Sequence, residues 1–246
     1  MEMVPSVLNH HLSASEQKYV FSHETDPHRA SKQLPSASPK WKKVQPLVKS
    51  FLASVLRLLK QLTDPAMLSE IIRGSQSVVL YFACFPKLGK EFTKQLLHFW
   101  SMGDEQVRIV SFLCLRQMAV DAPNPYLDRI FKGAYKAFTQ VSRNTSIHTI
   151  THLSFMSSCL VELAGLQLMT TYQHGFVAIR ELALLLRSAV NQQTKESFKA
   201  VYAWTFLHRL KLWGQVIATY GQESAGGENL MHLIYPLVQI ALGVIR

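Results

Sequence analysis

The sequence predicts an all-α protein of stacked antiparallel helical hairpins, an α-solenoid of the HEAT or armadillo kind. Three observations carry this. Apolar residues recur at spacings of three and four through the chain from about residue 45, and strand-like alternation is sustained nowhere. Helical units return roughly every 35–45 residues, a period typical of helical solenoids, although the units share little residue identity. The breaks between units are short and marked by Pro, Asp, Thr or Gly, and short connections favour antiparallel neighbours.

Two domains are expected. Residues 1–44 are polar and basic, with scattered Pro, Ser and His, and read as a disordered tail. Residues 45–246 read as the helical-repeat domain. Its first helix is expected from Gln45, with Pro46 in the first helical position. Phe51, Val55, Leu58, Leu59 and Leu62 form its apolar stripe. Asp64 caps the next helix, Pro65 opens it, and Gly74 weakens or splits it on the way to Phe85. Pro86 restarts the chain toward Trp100. The helix after Asp104 has an acidic first turn and is apolar nearly all round, so it belongs inside.

Asp121 to Pro125 is a firm break. The next helix turns Leu127, Ile130, Ala134 and Phe138 inward, and Ser142 to Ser146 form a turn. A long helix is expected from Ile147 to Met169. A central hairpin spans Tyr172 to Trp213, with Phe176, Ile179, Ala183, Leu186 and Val190 inward on its first helix. Thr194 caps the second helix, on which Phe198, Val201, Tyr202, Leu212, Trp213 and Val216 face in. Gly221 to Asn229 is a glycine-rich loop. The last element is apolar to the end, and Pro236 marks a kink or a start there.

The formal net charge is +10 for 246 residues. It suits an acidic partner, either nucleic acid or an acidic protein surface, though a basic surface can also be merely solvated. Cys84, Cys114 and Cys159 lie far apart in apolar runs without a CxxC pair, which argues against zinc and for reduced, buried thiols. The N-terminus lacks the pattern of a signal peptide. Charge breaks the most apolar runs well before ~18 residues, so no membrane span is expected.

Catalytic signatures are missing. The chain contains no GxGxxG, P-loop, GxSxG or HExxH. Its carboxylates are few and dispersed, and Glu162 and Glu181 read as paired structural groups rather than catalysts. His10, His11, His23 and His28 read as solvated tail residues rather than metal ligands. No catalytic, cofactor-binding or metal residue is assigned, and neither a cofactor nor a small-molecule substrate is expected. The basic segment Lys40-Trp41-Lys42-Lys43 suits an RNA contact, an import signal or a charged lead-in to the first helix. Trp204, His208 and Lys211 follow one another at i, i+4 and i+7. Such a row can stack on a nucleotide, although packing on a neighbouring helix is favoured for His208. RNA or partner contacts are accordingly assigned to Lys40, Lys42, Lys43, Lys49, Arg180, Arg187, Trp204, His208, Arg209 and Lys211. Apolar residues point nearly all round the final helix. One side can pack, and the other leaves a partner face assigned to Leu233, Tyr235, Leu237, Ile240 and Val244.

Six stretches resemble the nucleolar complex protein 2 family, and in the same order: VRIVSFLCLRQMA (107–119), YKAF (135–138), FMSSCLVELAGL (155–166), YQHGFVAIRELALLLRSAV (172–190), VYAWTFLHRLKLW (201–213) and LIYPLVQIALGVIR (233–246). The resemblance covers about residues 45–246. It implies a non-enzymatic scaffold of helical repeats in the nucleolus and nucleoplasm. Such a factor acts in assembly and transport of the large (60S) ribosomal subunit precursor. Implied partners are other nucleolar complex proteins and pre-60S particles, with no membrane, while precursor ribosomal RNA is a candidate partner on the ground of the basic surface. The alternative is a helical-repeat nuclear transport adaptor or a chromatin-associated interaction protein. The family continues beyond the last matched stretch and begins with a longer charged tail, so the resemblance also implies a fragment or truncated form.

Overall fold

The computed structural model describes residues 35–222 and 227–245. The expected tail up to residue 34 lies outside the described residues. Among the described residues every regular element is helical and no strand occurs. The chain divides into two compact units after Ile130.

The first unit opens with a 3-10 turn, Pro35–Ala37, and α1, Trp41–Gln61. This helix starts four residues before the expected Gln45, and Pro46 lies inside it. Tertiary packing explains the extra turn. Trp41 is buried, with ring centroids 6.4 Å from Tyr81 and 5.7 Å from Phe85. Burying an indole stabilises by a few kcal/mol, more than the single helical hydrogen bond lost at a proline in the second turn. Next comes α2, Pro65–Ser75, where Asp64 accepts from the Met67 amide at 2.9 Å, as a cap should. The helix ends one residue after Gly74. A 3-10 turn, Gln76–Val78, leads to the short α3, Val79–Ala83, so the expected split does occur.

The helix α4, Pro86–Met102, is joined by Gly103 and Asp104 to α5, Glu105–Asp121. The latter packs against α2, α3 and α4 and buries Val107, Val110, Phe112, Cys114, Leu115 and Met118. Its placement inside follows the expectation, apart from a flank where Ile109, Leu113 and Val120 stay exposed. Phe82 and Phe92 stack in this core with centroids 3.9 Å apart.

The boundary between the units falls within α6, Pro123–Val141, whose Asn124 and Pro125 are non-helical. Leu127, Ile130, Ala134 and Phe138 are buried as expected. In the second unit a 3-10 turn, Ser142–Asn144, leads to α7, Ile147–Ala164, and then to α8, Leu168–Gln192. The single helix expected over Ile147 to Met169 is therefore two. At the break a Cβ on Gly165 would collide with the Tyr220 hydroxyl, and the Thr171 hydroxyl donates to the Ala164 carbonyl at 2.7 Å. A buried side chain thus satisfies a carbonyl freed at the helix end.

Thr194 caps α9, Lys195–Val201, as expected, by accepting from the Ser197 amide at 3.2 Å. The second helix of the expected hairpin breaks at Tyr202 and Ala203, and α10, Trp204–Tyr220, follows. After α11, Glu228–Met231, comes α12, Ile234–Ile245, in which Pro236 occupies the first turn and marks a start. The helices α8 and α10 pack on each other, and α12 packs on both.

One face was read incorrectly. On α8, Phe176, Ala183 and Val190 are exposed, and the buried stripe is Thr171, Gly175, Ala178, Ile179, Leu182 and Ala189. Small residues decide this. A Cβ on Gly175 would come within 2.9 Å of Leu233 and 3.0 Å of Trp213, so the glycine lets two large side chains seat against the helix. On α9 and the break after it, Phe198 and Tyr202 are likewise exposed where burial was expected.

Candidate functional site

The assigned residues of the second unit fall into two groups on α10. Arg209 is a strut rather than a surface cation. It is 8% exposed. Its Nε donates to the Tyr135 hydroxyl at 2.8 Å, and its terminal nitrogen donates to the Glu181 carboxylate. The Trp213 indole donates to the same hydroxyl at 3.4 Å, and the guanidinium lies 5.6 Å from the centre of the Tyr135 ring. Burial works against the charge, but Tyr135 and then Glu181 outweigh it and hold the arginine above its ordinary pKa. The knot ties α6, α8 and α10 together. Assigning Arg209 to RNA is therefore corrected, because its donors are engaged inside. Glu181 is the paired structural carboxylate expected of it.

Trp204, His208 and Lys211 lie along another side of α10. Trp204 is 56% exposed, Lys211 is exposed and His208 is half-buried. The His208 ring sits 6.1 Å from the indole and meets Phe138 edge-on at 6.4 Å. Its Nε2 is 3.1 Å from the Thr145 hydroxyl. Burial first, and then the Lys211 charge, push the imidazole below its ordinary pKa. His208 is thus largely a packing residue, and Trp204 and Lys211 remain available on the surface. Beside them a cavity of about 110 Å³ is lined by Ser154, Ser157 and Ser158 of α7 and His208, Lys211 and Gln215 of α10, together with the apolar Phe138, Ile150 and Leu153. The Ser157 hydroxyl donates to Gln215 at 2.6 Å.

Arg180 and Arg187 are exposed on α8, and Lys42, Lys43 and Lys49 on α1, with Lys40 just before it. Trp41 turns into the core, so the basic segment at the start of α1 offers cations without an aromatic platform. Further exposed cations were missed, among them Lys136 on α6 and Arg143 in the turn after it. The signal was available, because no Asp or Glu occurs from Arg129 to Val161.

The partner face assigned to the last helix needs correction as well. Leu233 and Ile240 are 2% and 4% exposed, and Leu237 and Val244 are half-buried. Only Tyr235, at 73%, is open as assigned. The open side runs instead through Ile234, Val238, Leu242 and Ile245, one stripe at helical spacing. An apolar groove of about 340 Å³ adjoins it, where Tyr202, Trp204 and Leu207 face Ala241, Val244 and Ile245. The expectation that charge interrupts every apolar run also fails here. Glu228–Ile245 is long and apolar enough to cross a membrane by length and composition, and 17% of it is buried. Its only charged residue is the first.

Among the described residues no three His, Cys, Asp or Glu side chains gather as a metal site. Cys114 and Cys159 are buried and Cys84 is half-buried, all as free thiols. The distinctive features are thus surfaces on an all-α frame: an exposed indole and lysine on one side of α10, and an apolar helix face beside a groove.

The Noc2p family profile matches residues 125–246, the segment that holds both surfaces. The nucleolar complex-associated protein 2 of Arabidopsis thaliana is 38% identical over 206 residues, covering 84% of this chain and 26% of that protein. The nucleolar complex protein 2 of Drosophila melanogaster is 38% identical over 207 residues, covering 84% and 26%. An uncharacterized NOC2 family protein of Schizosaccharomyces pombe is 34% identical over 253 residues, covering the whole of this chain and 34% of that protein. The chain belongs to the Noc2p family. It spans between a quarter and about a third of the length of these relatives.

Proposed function

We propose that the chain is a non-enzymatic scaffold in the nucleolus and nucleoplasm. It acts there in assembly and transport of the large (60S) ribosomal subunit precursor, alongside other nucleolar complex proteins. The observation that carries this reading is its 38% identity to two proteins named for the nucleolar complex. The surfaces agree with it. An apolar stripe and groove on the last helices suit a protein partner, since contiguous exposed apolar area marks interaction sites. A net charge of +10 suits weak, sequence-independent contact with precursor RNA, through Lys40, Lys42, Lys43, Lys49, Arg180, Arg187 and Lys211. The helices stack as HEAT-like or armadillo-like repeats in this reading, with the residues ahead of α1 as a tail.

The test is affinity purification of the tagged chain from nucleolar extract. Large-subunit precursor RNA and nucleolar complex proteins should be recovered together. A protein cargo that survives high salt, without ribosomal precursors, would favour a transport adaptor and refute the proposal.

A further inference from the structure

We propose that the turn after α6 and the adjoining side of α10 form a binding face for single-stranded RNA, with Trp204 stacking on a base and Arg143 and Lys211 holding phosphates. This deepens the RNA part of the reading above and rests on it.

Four observations meet at this place. The chain from Lys136 to Val161 holds Lys136 and Arg143 and no carboxylate. The turn Ser142–Asn144 packs on α10, and the 3.1 Å contact between Thr145 and His208 brings Arg143 to the same side as the α10 row. Trp204 is 56% exposed although it opens a helix whose other tryptophan, Trp213, is 1% exposed. An indole left in water beside cations is what a base-stacking platform needs, because every base offers a π-face and the neighbouring charges track the backbone. The cavity beside Lys211 is lined by three serines. At about 110 Å³ it is too small for a nucleotide but admits a ribose hydroxyl, which donates and accepts as serine does. An acidic protein surface would satisfy the cations alone, whereas RNA supplies phosphates for the cations and bases for the indole.

The experiment is fluorescence anisotropy of the full 246-residue chain with a labelled 12-nucleotide oligouridylate, its DNA counterpart and an RNA duplex of the same length. Trp204→Ala should weaken single-strand binding about tenfold and leave the salt slope unchanged, while Trp204→Phe restores most of the affinity. Lys211→Gln and Arg143→Gln should each lower that slope by about 0.7. Lys49→Gln in the other unit should leave the effect of Trp204→Ala unchanged. The single-stranded RNA should bind more tightly than the DNA and the duplex. Binding that is intact in Trp204→Ala and Lys211→Gln overturns this face but leaves general RNA affinity standing. Binding of a labelled polyglutamate together with no RNA affinity at low salt overturns both, and assigns the face to an acidic protein.

Discussion

Replacing Arg209 with Gln separates a strut from an RNA contact. Two hydrogen bonds from a charged donor are lost. The bond to Tyr135 joins a buried cation to a neutral hydroxyl and contributes about 1–1.5 kcal/mol. The pair with Glu181 is discounted, because that carboxylate is 56% exposed and returns readily to water, so about 0.5–1 kcal/mol is reasonable. Glutamine keeps part of the aliphatic stem, and the packing loss is small. The sum is about 2 kcal/mol, which lowers the melting temperature of a chain this size by about 4–8 °C. Glu181→Gln should cost less, about 0.5–1 kcal/mol, because it removes the charge but keeps an acceptor oxygen for the guanidinium. Differential scanning calorimetry reads both, and RNA anisotropy on the same samples should show no loss from Arg209→Gln. A melting point within a degree of wild type, together with a fall in RNA affinity, would refute the strut.

Further outcomes follow from the same structure. Gly175→Val should destabilise the second unit by about 1–3 kcal/mol in chemical denaturation, because its side chain has to displace Leu233 and Trp213; unchanged stability would contradict the close approach. His208 should titrate below its ordinary value in NMR. Its folded pKa is lowered, so its contribution to stability is present above about pH 6.5 and is lost as the pH falls through the folded value. His208→Gln should accordingly flatten the fall in stability below about pH 6.5, and an imidazole midpoint above 6.5 would contradict the burial. A disulfide-exchange reagent should reach Cys84 at most in the native chain and all three thiols after unfolding, since Cys114 is fully enclosed and its thiol is pushed far up by burial. Amides in the second half of α12 should exchange faster than those of α8, because Ile240 is the one buried side chain of that helix; slow exchange through Ile245 in a monodisperse monomer would mean that the stripe is covered within the chain.

Much of the fold was legible because it follows from local chemistry. Asp64 and Thr194 cap the helices they were expected to cap, and Pro65, Pro86 and Pro236 open the ones they precede or begin. The alternation of helices needed only periodicity. What was hidden depends on contacts distant in sequence. The inward face of α8 was assigned to its largest apolar residues, yet glycine and alanine face in, because the partners are Trp213 and Leu233. A helix apolar on every side, such as α12, carries no record of which side is covered. The start of α1 moved because Trp41 finds Tyr81 and Phe85 some forty residues later. The same limit applies to the surfaces. Arg209 looked like one more exposed cation until Tyr135, 74 residues away, was seen to hold it. The acid-free stretch around Arg143 was legible, but its setting beside α10 comes only from the packing of its turn on that helix.

The central claim is that this chain works on a precursor of the large ribosomal subunit, and gradient sedimentation tests it most directly. Nuclear extract from cells expressing the tagged chain would be resolved by size, and each fraction probed for the tag and for large-subunit precursor RNA. The two signals should peak together in the pre-60S fractions and should separate as salt is raised. A tag that stays in light fractions at low salt, while a full-length Noc2p relative in the same cells sediments with the precursor, would contradict the account.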